Sequence, residues 1–111
     1  MLVRKGNSVC MFIYNVTVKV DWSIHEEWLT WMKEEQIPAM LLTNHFNRYQ
    51  MVRLLEIDEE EGPTYAIQYY ANSMEAYQQF LHYAAPDFSE QAVKKWGERF
   101  VLFGTLMEVI N

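Results

Sequence analysis

The sequence predicts an α+β domain in which strands and helices follow one another as β-α-β-β-α-β. Three observations predict it. Residues 12–20, FIYNVTVKV, alternate between apolar and polar. Two later stretches, from Ile24 and from Met74, repeat apolar residues at helical spacing, and two β-rich runs between them flank a charged turn.

In 12–20, Phe12, Tyr14, Val16, Val18 and Val20 point to one side, and Asn15, Thr17 and Lys19 to the other. Period two with β-branched and aromatic content makes this a strand with one buried face. Ser23 stands three residues before Glu26, the spacing at which the two side chains satisfy each other's backbone donors at a helix start. A helix is predicted from Ile24 to about Gln36, with Ile24, Trp28, Trp31 and Met32 as its apolar stripe. Pro38 is expected to interrupt it and leave one short turn over 39–43.

Residues 46–57 and 64–71 read as strands joined through DEEEGP, a charged turn with Gly62 and Pro63, and hence as a hairpin. Asn72 or Ser73 is placed to cap a second helix, whose inward side carries Met74, Tyr77, Leu81, Ala84 and Phe88. Pro86 should break or kink that helix, the pattern resumes over 89–96, and Gly97 is a fitting stop. The last strand, 99–110, is apolar on both faces.

Units in this order close into a four-stranded antiparallel sheet with both helices on one face, the ferredoxin-like plait. The other sheet face is then uncovered, and the doubly apolar last strand cannot leave it in water cheaply. A second copy, sheet against sheet, is the expected cover and also shields the edge strands. The expected assembly is thus a homodimer through the open sheet face, a dimeric α+β barrel.

A chain of 111 residues bounds the domain count at one, over 11–111. Residues 1–10 read as an N-terminal extension, expected to be disordered, and Met11 competes with Met1 as the natural start. The net charge is −6, from 15 acidic and 9 scattered basic residues, so neither nucleic acid nor an anionic membrane surface is an expected partner. No apolar run approaches the roughly 20 residues of a membrane span. Cys10 is the only cysteine and the first residues lack a signal-peptide pattern, so a reducing, cytoplasmic location is expected.

The stretch HEEWLTWMKEEQIP, 25–38, opens like the helical zinc-protease signature, but position 29, where the second histidine belongs, is Leu29. His25, His45 and His82 complete the histidine set and none stands at ligand spacing from another, so no metal is expected. His25 is read as solvent-facing near a helix start, and Trp28 and Trp31 as core. The consecutive acids Asp58 to Glu61 do not alternate as calcium ligands do and read as a solvated hairpin tip. No phosphate loop, serine elbow or cysteine nucleophile motif is present, so no catalytic residue is assigned. What remains is the polar side of the strands. Asn15, Thr17, Gln68 and Tyr70 form a candidate pocket on the face assigned to the dimer, where they would hydrogen-bond one another, water or a small apolar ligand.

The segments FIYNVTVKVD, HEEWLTWMKEEQIP, EEEGPTYAIQYYANSMEAY and FGTLMEVI resemble the domain of unknown function 4286 family, small bacterial proteins without an assigned activity. The resemblance covers nearly everything from Met11 onward. Through that family the chain is similar to the dimeric α+β barrel superfamily, which includes haem-degrading and quinol-oxidising monooxygenases. It also implies histidines before Ile-Pro in the first helix, before Ala-Pro in the second and shortly after it. Here those positions hold Gln36, Ala84 and Ala92, so a histidine-dependent activity is not expected.

The reading is a small dimeric barrel protein, non-enzymatic or binding a small molecule, without a cofactor. The alternative is a cofactor-independent, monooxygenase-like enzyme acting inside the barrel, with Asn15, Gln68 and Tyr70 polarising an apolar substrate. A haem-degrading version would need a proximal histidine on the second helix, for which His82 is the one candidate.

Overall fold

Strand β1 (Phe12–Val20) is hydrogen-bonded on both sides. It runs antiparallel to β3 (Thr64–Ala71) and to β4 (Phe100–Glu108), and β2 (Arg48–Arg53) pairs with the far side of β3. The sheet order β2-β3-β1-β4 is the ferredoxin-like plait expected from the element order. A computed structural model describes residues 11–111, and the extension read over 1–10 lies outside the described residues.

Alternation sorts the strand residues. Tyr14, Val16, Val18 and Val20 join Tyr65, Ile67, Tyr69 and Ala71 in a core covered by Ile24, Trp28, Met32, Ile37, Met40 and Phe80 from the helices. At one end the core is aromatic: the Phe80 ring lies 4.9 Å from Phe46 and 5.5 Å from Tyr14 between centroids. The helices therefore lie on one face of the sheet. None of them is long and apolar enough to cross a membrane.

The first helical stretch departs from expectation in two ways. Its start is capped by Asp21, whose Oδ1 accepts from the Ser23 backbone N–H at 2.8 Å, and not by a Ser23–Glu26 box. A 3₁₀ turn (Trp22–Ile24) then leads into α1 (His25–Trp31). Nor does Pro38 end the helix. A π-helical segment (Met32–Gln36) passes directly into α2 (Ile37–Leu42), with the Ile37 N–H bonded back to the Met32 carbonyl. Pro38 sits at the start of α2, where a missing N–H and a fixed φ do little harm, and the wide turn before it makes room for the ring.

The second helical region is two helices, α3 (Met74–Tyr83) and α4 (Ala85–Trp96). Ser73 caps α3, its Oγ accepting from the Ala76 N–H at 3.0 Å. Pro86 lies in the first turn of α4, so the break falls at Ala84, earlier than the pattern resuming at Ser89 implied. The inward side of α3 is carried by Phe80 and the half-buried Tyr77, whereas Leu81 and Met74 are exposed. Phe80 lies three residues from Tyr77 and four from Ala84, so it fits the helical repeat better than Leu81 does.

Two polar readings also need correction. His25 is half-buried rather than free in water: its Nε2 lies 2.7 Å from the Tyr65 hydroxyl and its ring stacks on Tyr65. In the acidic run, Glu59 receives two hydrogen bonds from Arg53, at 2.7 and 3.2 Å, and its carbonyl accepts from the Trp22 indole N–H at 2.8 Å. The connection after β2 is thus folded back onto the start of the first helical stretch. Gly62 is required there, because a Cβ would run into the Val20 carbonyl oxygen.

Trp28 is 2% exposed and packs on Tyr65 with ring centroids 5.4 Å apart. Trp28→Ala is expected to lower unfolding free energy by about 3–5 kcal/mol in urea melts, the cost of emptying a buried aromatic site. Burial, aided by the Arg53 charge, holds His25 below the ordinary imidazole pKa. The folded state therefore favours the neutral ring. That contribution is complete above the unfolded-chain pKa, about 6.5, and is lost as pH falls through the lower folded value. His25→Gln keeps a partner for Tyr65 but cannot titrate, so between pH 7 and pH 5 it should lose less melting temperature than wild type.

Candidate functional site

The two faces of the sheet offer different chemistry. On the face away from the helices, the register sets Gln50, Gln68, Asn15 and Thr105 side by side across all four strands. The neighbouring row is Val52, Ala66, Thr17 and Phe103. All four candidate residues, Asn15, Thr17, Gln68 and Tyr70, fall on this face and are half-buried. The Asn15 Nδ2 donates to the Thr17 Oγ1 at 3.1 Å, and the Arg48 guanidinium lies 4.0 Å from the Tyr70 ring centre. Apolar side chains frame this polar row. Phe103 is 60% exposed and Val101 68%.

On the helix side, a cavity of about 90 Å³ lies between the sheet, the first helical stretch and α4. Its floor is Val16, Val18, Ile67 and Tyr69, and Tyr14 and Phe80 close one end. Trp28, Trp31, Met32, Gln36 and Met40 form one wall, and Ala85, Phe88, Ser89, Ala92 and Trp96 the other. Phe100 and Leu102 of β4 complete it, and the exposed Ser89 and Leu102 mark its open side.

The π segment shapes the first wall. Trp28, Met32, Gln36 and Met40 recur every four residues, and in a regular helix of about 3.6 residues per turn each such step overshoots by roughly 40°. The wider turn over Met32–Gln36 takes back that rotation, so residues twelve positions apart meet one cavity. The second wall ends where Gly97, at φ 65° and ψ −130°, turns the chain out of α4 toward β4. Only glycine adopts that conformation without strain. It leaves Trp96 edge-to-face with Trp31, centroids 5.7 Å apart.

Among the described residues the cavity wall holds no Asp, Glu, His, Lys, Arg or Cys. The lining residues that carry polar side-chain atoms are Tyr14, Tyr69, Ser89, Gln36 and the three tryptophans Trp28, Trp31 and Trp96. Burial raises the pKa of both tyrosines, aided by the Tyr77 phenol beside Tyr14 and by Tyr14 and Tyr49 beside Tyr69, so they stay neutral. Such a wall can bind and orient a molecule by hydrogen bonds and shape, but it offers no group that exchanges a proton near neutral pH. The sequence assigned Trp28 and Trp31 to the core; Trp28 is buried and Trp31 half-buried against it, and no signal showed that these residues would surround a space. Of the three positions where the resemblance implies histidine, Gln36 and Ala92 line the cavity, and Ala84 is half-buried beside the lining Ala85. His82, the candidate haem ligand, is exposed and is not part of the wall.

A family model described as Domain of unknown function (DUF4286) matches residues 11–110. No curated protein matches the sequence. Solved structures share the fold at low identity. A dimeric ferredoxin-like protein from an uncultured marine organism aligns with TM-score 0.67 and 11% identity, over 92% of this chain and 97% of that one. A monooxygenase from Streptomyces coelicolor, in complex with nanaomycin D, aligns with TM-score 0.60 and 13% identity, over 90% and 88% of the two chains. The hydroxynitrile lyase of Passiflora edulis aligns with TM-score 0.59 and 11% identity, over 90% and 96%.

Proposed function

The chain belongs to the family described as Domain of unknown function (DUF4286), and we propose that this member is a homodimeric small-molecule-binding module without catalytic machinery of its own. The observation that carries the binding role is the apolar cavity whose wall has hydrogen-bonding groups but no titratable group suited to neutral pH. Size narrows the ligand. Pockets for drug-sized molecules run to several hundred Å³, whereas an engineered cavity of about 150 Å³ holds one benzene ring. At about 90 Å³ this cavity takes a single small ring, and that only if the flexible Met32 and Met40 yield. A haem is far too large for it.

The dimer reading rests on the open sheet face. Exposed Phe103 and Val101 beside a row of uncharged amides and hydroxyls suit burial against a second copy, where Asn15, Thr17, Gln68 and Tyr70 would find partners across the interface. The dimeric ferredoxin-like neighbour lends support to this arrangement. A second reading, cofactor-independent oxidation of the bound molecule, draws on the fold shared with the Streptomyces monooxygenase. Turnover-dependent oxygen consumption by the purified protein would favour it. The cytoplasm remains the proposed location.

Toluene should raise the melting temperature of wild type by mass action, and Ala92→Leu, which adds bulk inside the cavity, should abolish that rise. An equal rise in both proteins would place binding elsewhere and remove the cavity reading. For the dimer, sedimentation equilibrium should give twice the mass of one chain. Phe103→Arg should shift the distribution to monomer while the far-ultraviolet spectrum stays unchanged. A wild-type monomer at micromolar concentration would refute the interface.

A further inference from the structure

Trp31 and Trp96 serve two spaces. Besides the cavity, they line an open groove of about 380 Å³ between the first helical stretch and the last turn of α4. Glu26, Glu27 and Thr30 of α1, Glu35 of the π segment and Lys95 complete it, all of them exposed. The two indole rings stand at 74° to each other and make an aromatic corner. The Lys95 Nζ lies over the Trp96 ring, 5.1 Å from its centre. Among the described residues the ion pairs join Lys19 to Glu61 and Arg53 to Glu59. The Lys95 ammonium is in neither, although three carboxylates share its groove. This corner therefore already carries a cation, held there by attraction to the indole quadrupole.

Three carboxylates against one ammonium leave the groove net negative. Yet they do not converge, for among the described residues no three acidic, histidine or cysteine side chains stand close enough to hold a metal ion together. The field is diffuse, and a compact, strongly hydrated ion gains little from it. We propose that the groove binds a free quaternary ammonium compound, whose trimethylammonium head takes the place of the Lys95 ammonium on the aromatic corner. Such a head is a cation with an apolar surface. Its charge is spread over methyl groups, so it leaves water more readily than a primary ammonium and gains from ring faces and carboxylates together. The same head on a phospholipid fits worse, because its phosphate would be carried in against Glu26, Glu27 and Glu35.

The test compares choline with 3,3-dimethylbutan-1-ol, in which carbon replaces the ammonium nitrogen and the shape is kept. Both are titrated at constant ionic strength and followed by ¹H–¹⁵N spectra. Choline should move the indole N–H resonances of Trp31 and Trp96 and leave in place those of Trp22 and Trp28, which do not line the groove. The alcohol should bind about 10-fold more weakly. Glu35→Gln, at an exposed position, should weaken choline about 2- to 5-fold. Lys95→Met removes the resident cation, keeps an apolar stem and should strengthen choline by about as much. Equal binding of the two probes would overturn the proposal and leave a groove indifferent to charge. Unmoved Trp31 and Trp96 resonances, or a choline affinity that neither substitution changes, would overturn it too. Sedimentation of the protein with phosphatidylcholine vesicles would assign the head to a lipid and overturn the free ligand.

Discussion

The constraint on which the rest of the structure depends is that β1 is paired on both sides and is therefore buried along both edges at once. A strand so placed cannot shift register by one residue without turning Val18 and Val20 out of the core and Asn15 and Lys19 into it. Both neighbours inherit that register. Ile67 faces the helices because it stands opposite Val16, and Gln68 faces away because it stands opposite Asn15. Each sheet face is written once, in nine residues of β1, and copied to the other strands by pairing.

The cavity follows from how the helices cover this template. The floor and one end are fixed: Ile67 and Tyr69 of the sheet and Phe80 of α3 are almost wholly buried and held by pairing and by aromatic contacts. Above it the cover is uneven. Around Phe80 large rings fill the layer, whereas α4 presents Ala85 and Ala92 where the first helical stretch presents Met32 and Met40. Small residues facing unbranched thioethers leave volume and also the means to reshape it. Trp31 of the first helical stretch and Trp96 of α4 meet edge-to-face across the gap.

Much of the fold was legible in the sequence because its signals are local. Period two in β1 and β3, the Ser73 cap and the Gly97 stop each depend on a few adjacent residues. The shared face of Asn15, Thr17, Gln68 and Tyr70 was legible for the same reason, since alternation alone assigns it. The misreadings came from longer range. Asp21 caps where Ser23 was expected to because either residue can fill the role and backbone geometry chooses. His25 found Tyr65, forty positions away, through sheet packing that no helical pattern encodes. The cavity was illegible outright. Trp28 and Met32 look like core in sequence and are core in space, and a void beside them is a property of the summed volumes of the layer.

The continuous passage through Pro38 has a consequence for how this wall can change over generations. A π turn is an α turn carrying one residue too many, which amounts to a single inserted codon that the helix has absorbed. Losing one codon within 32–36 would turn the wide segment back into an ordinary helix and leave everything after it in its present phase, because the wide turn already absorbs the extra residue. Met40 would still face the cavity, whereas Pro38 would lose the room made for it, and no residue of the sheet would differ. The two faces of this domain are thus exposed to different kinds of heredity. The open face can drift only by exchange of one side chain for another, whereas the cavity wall can also absorb a change in length within its wide turn.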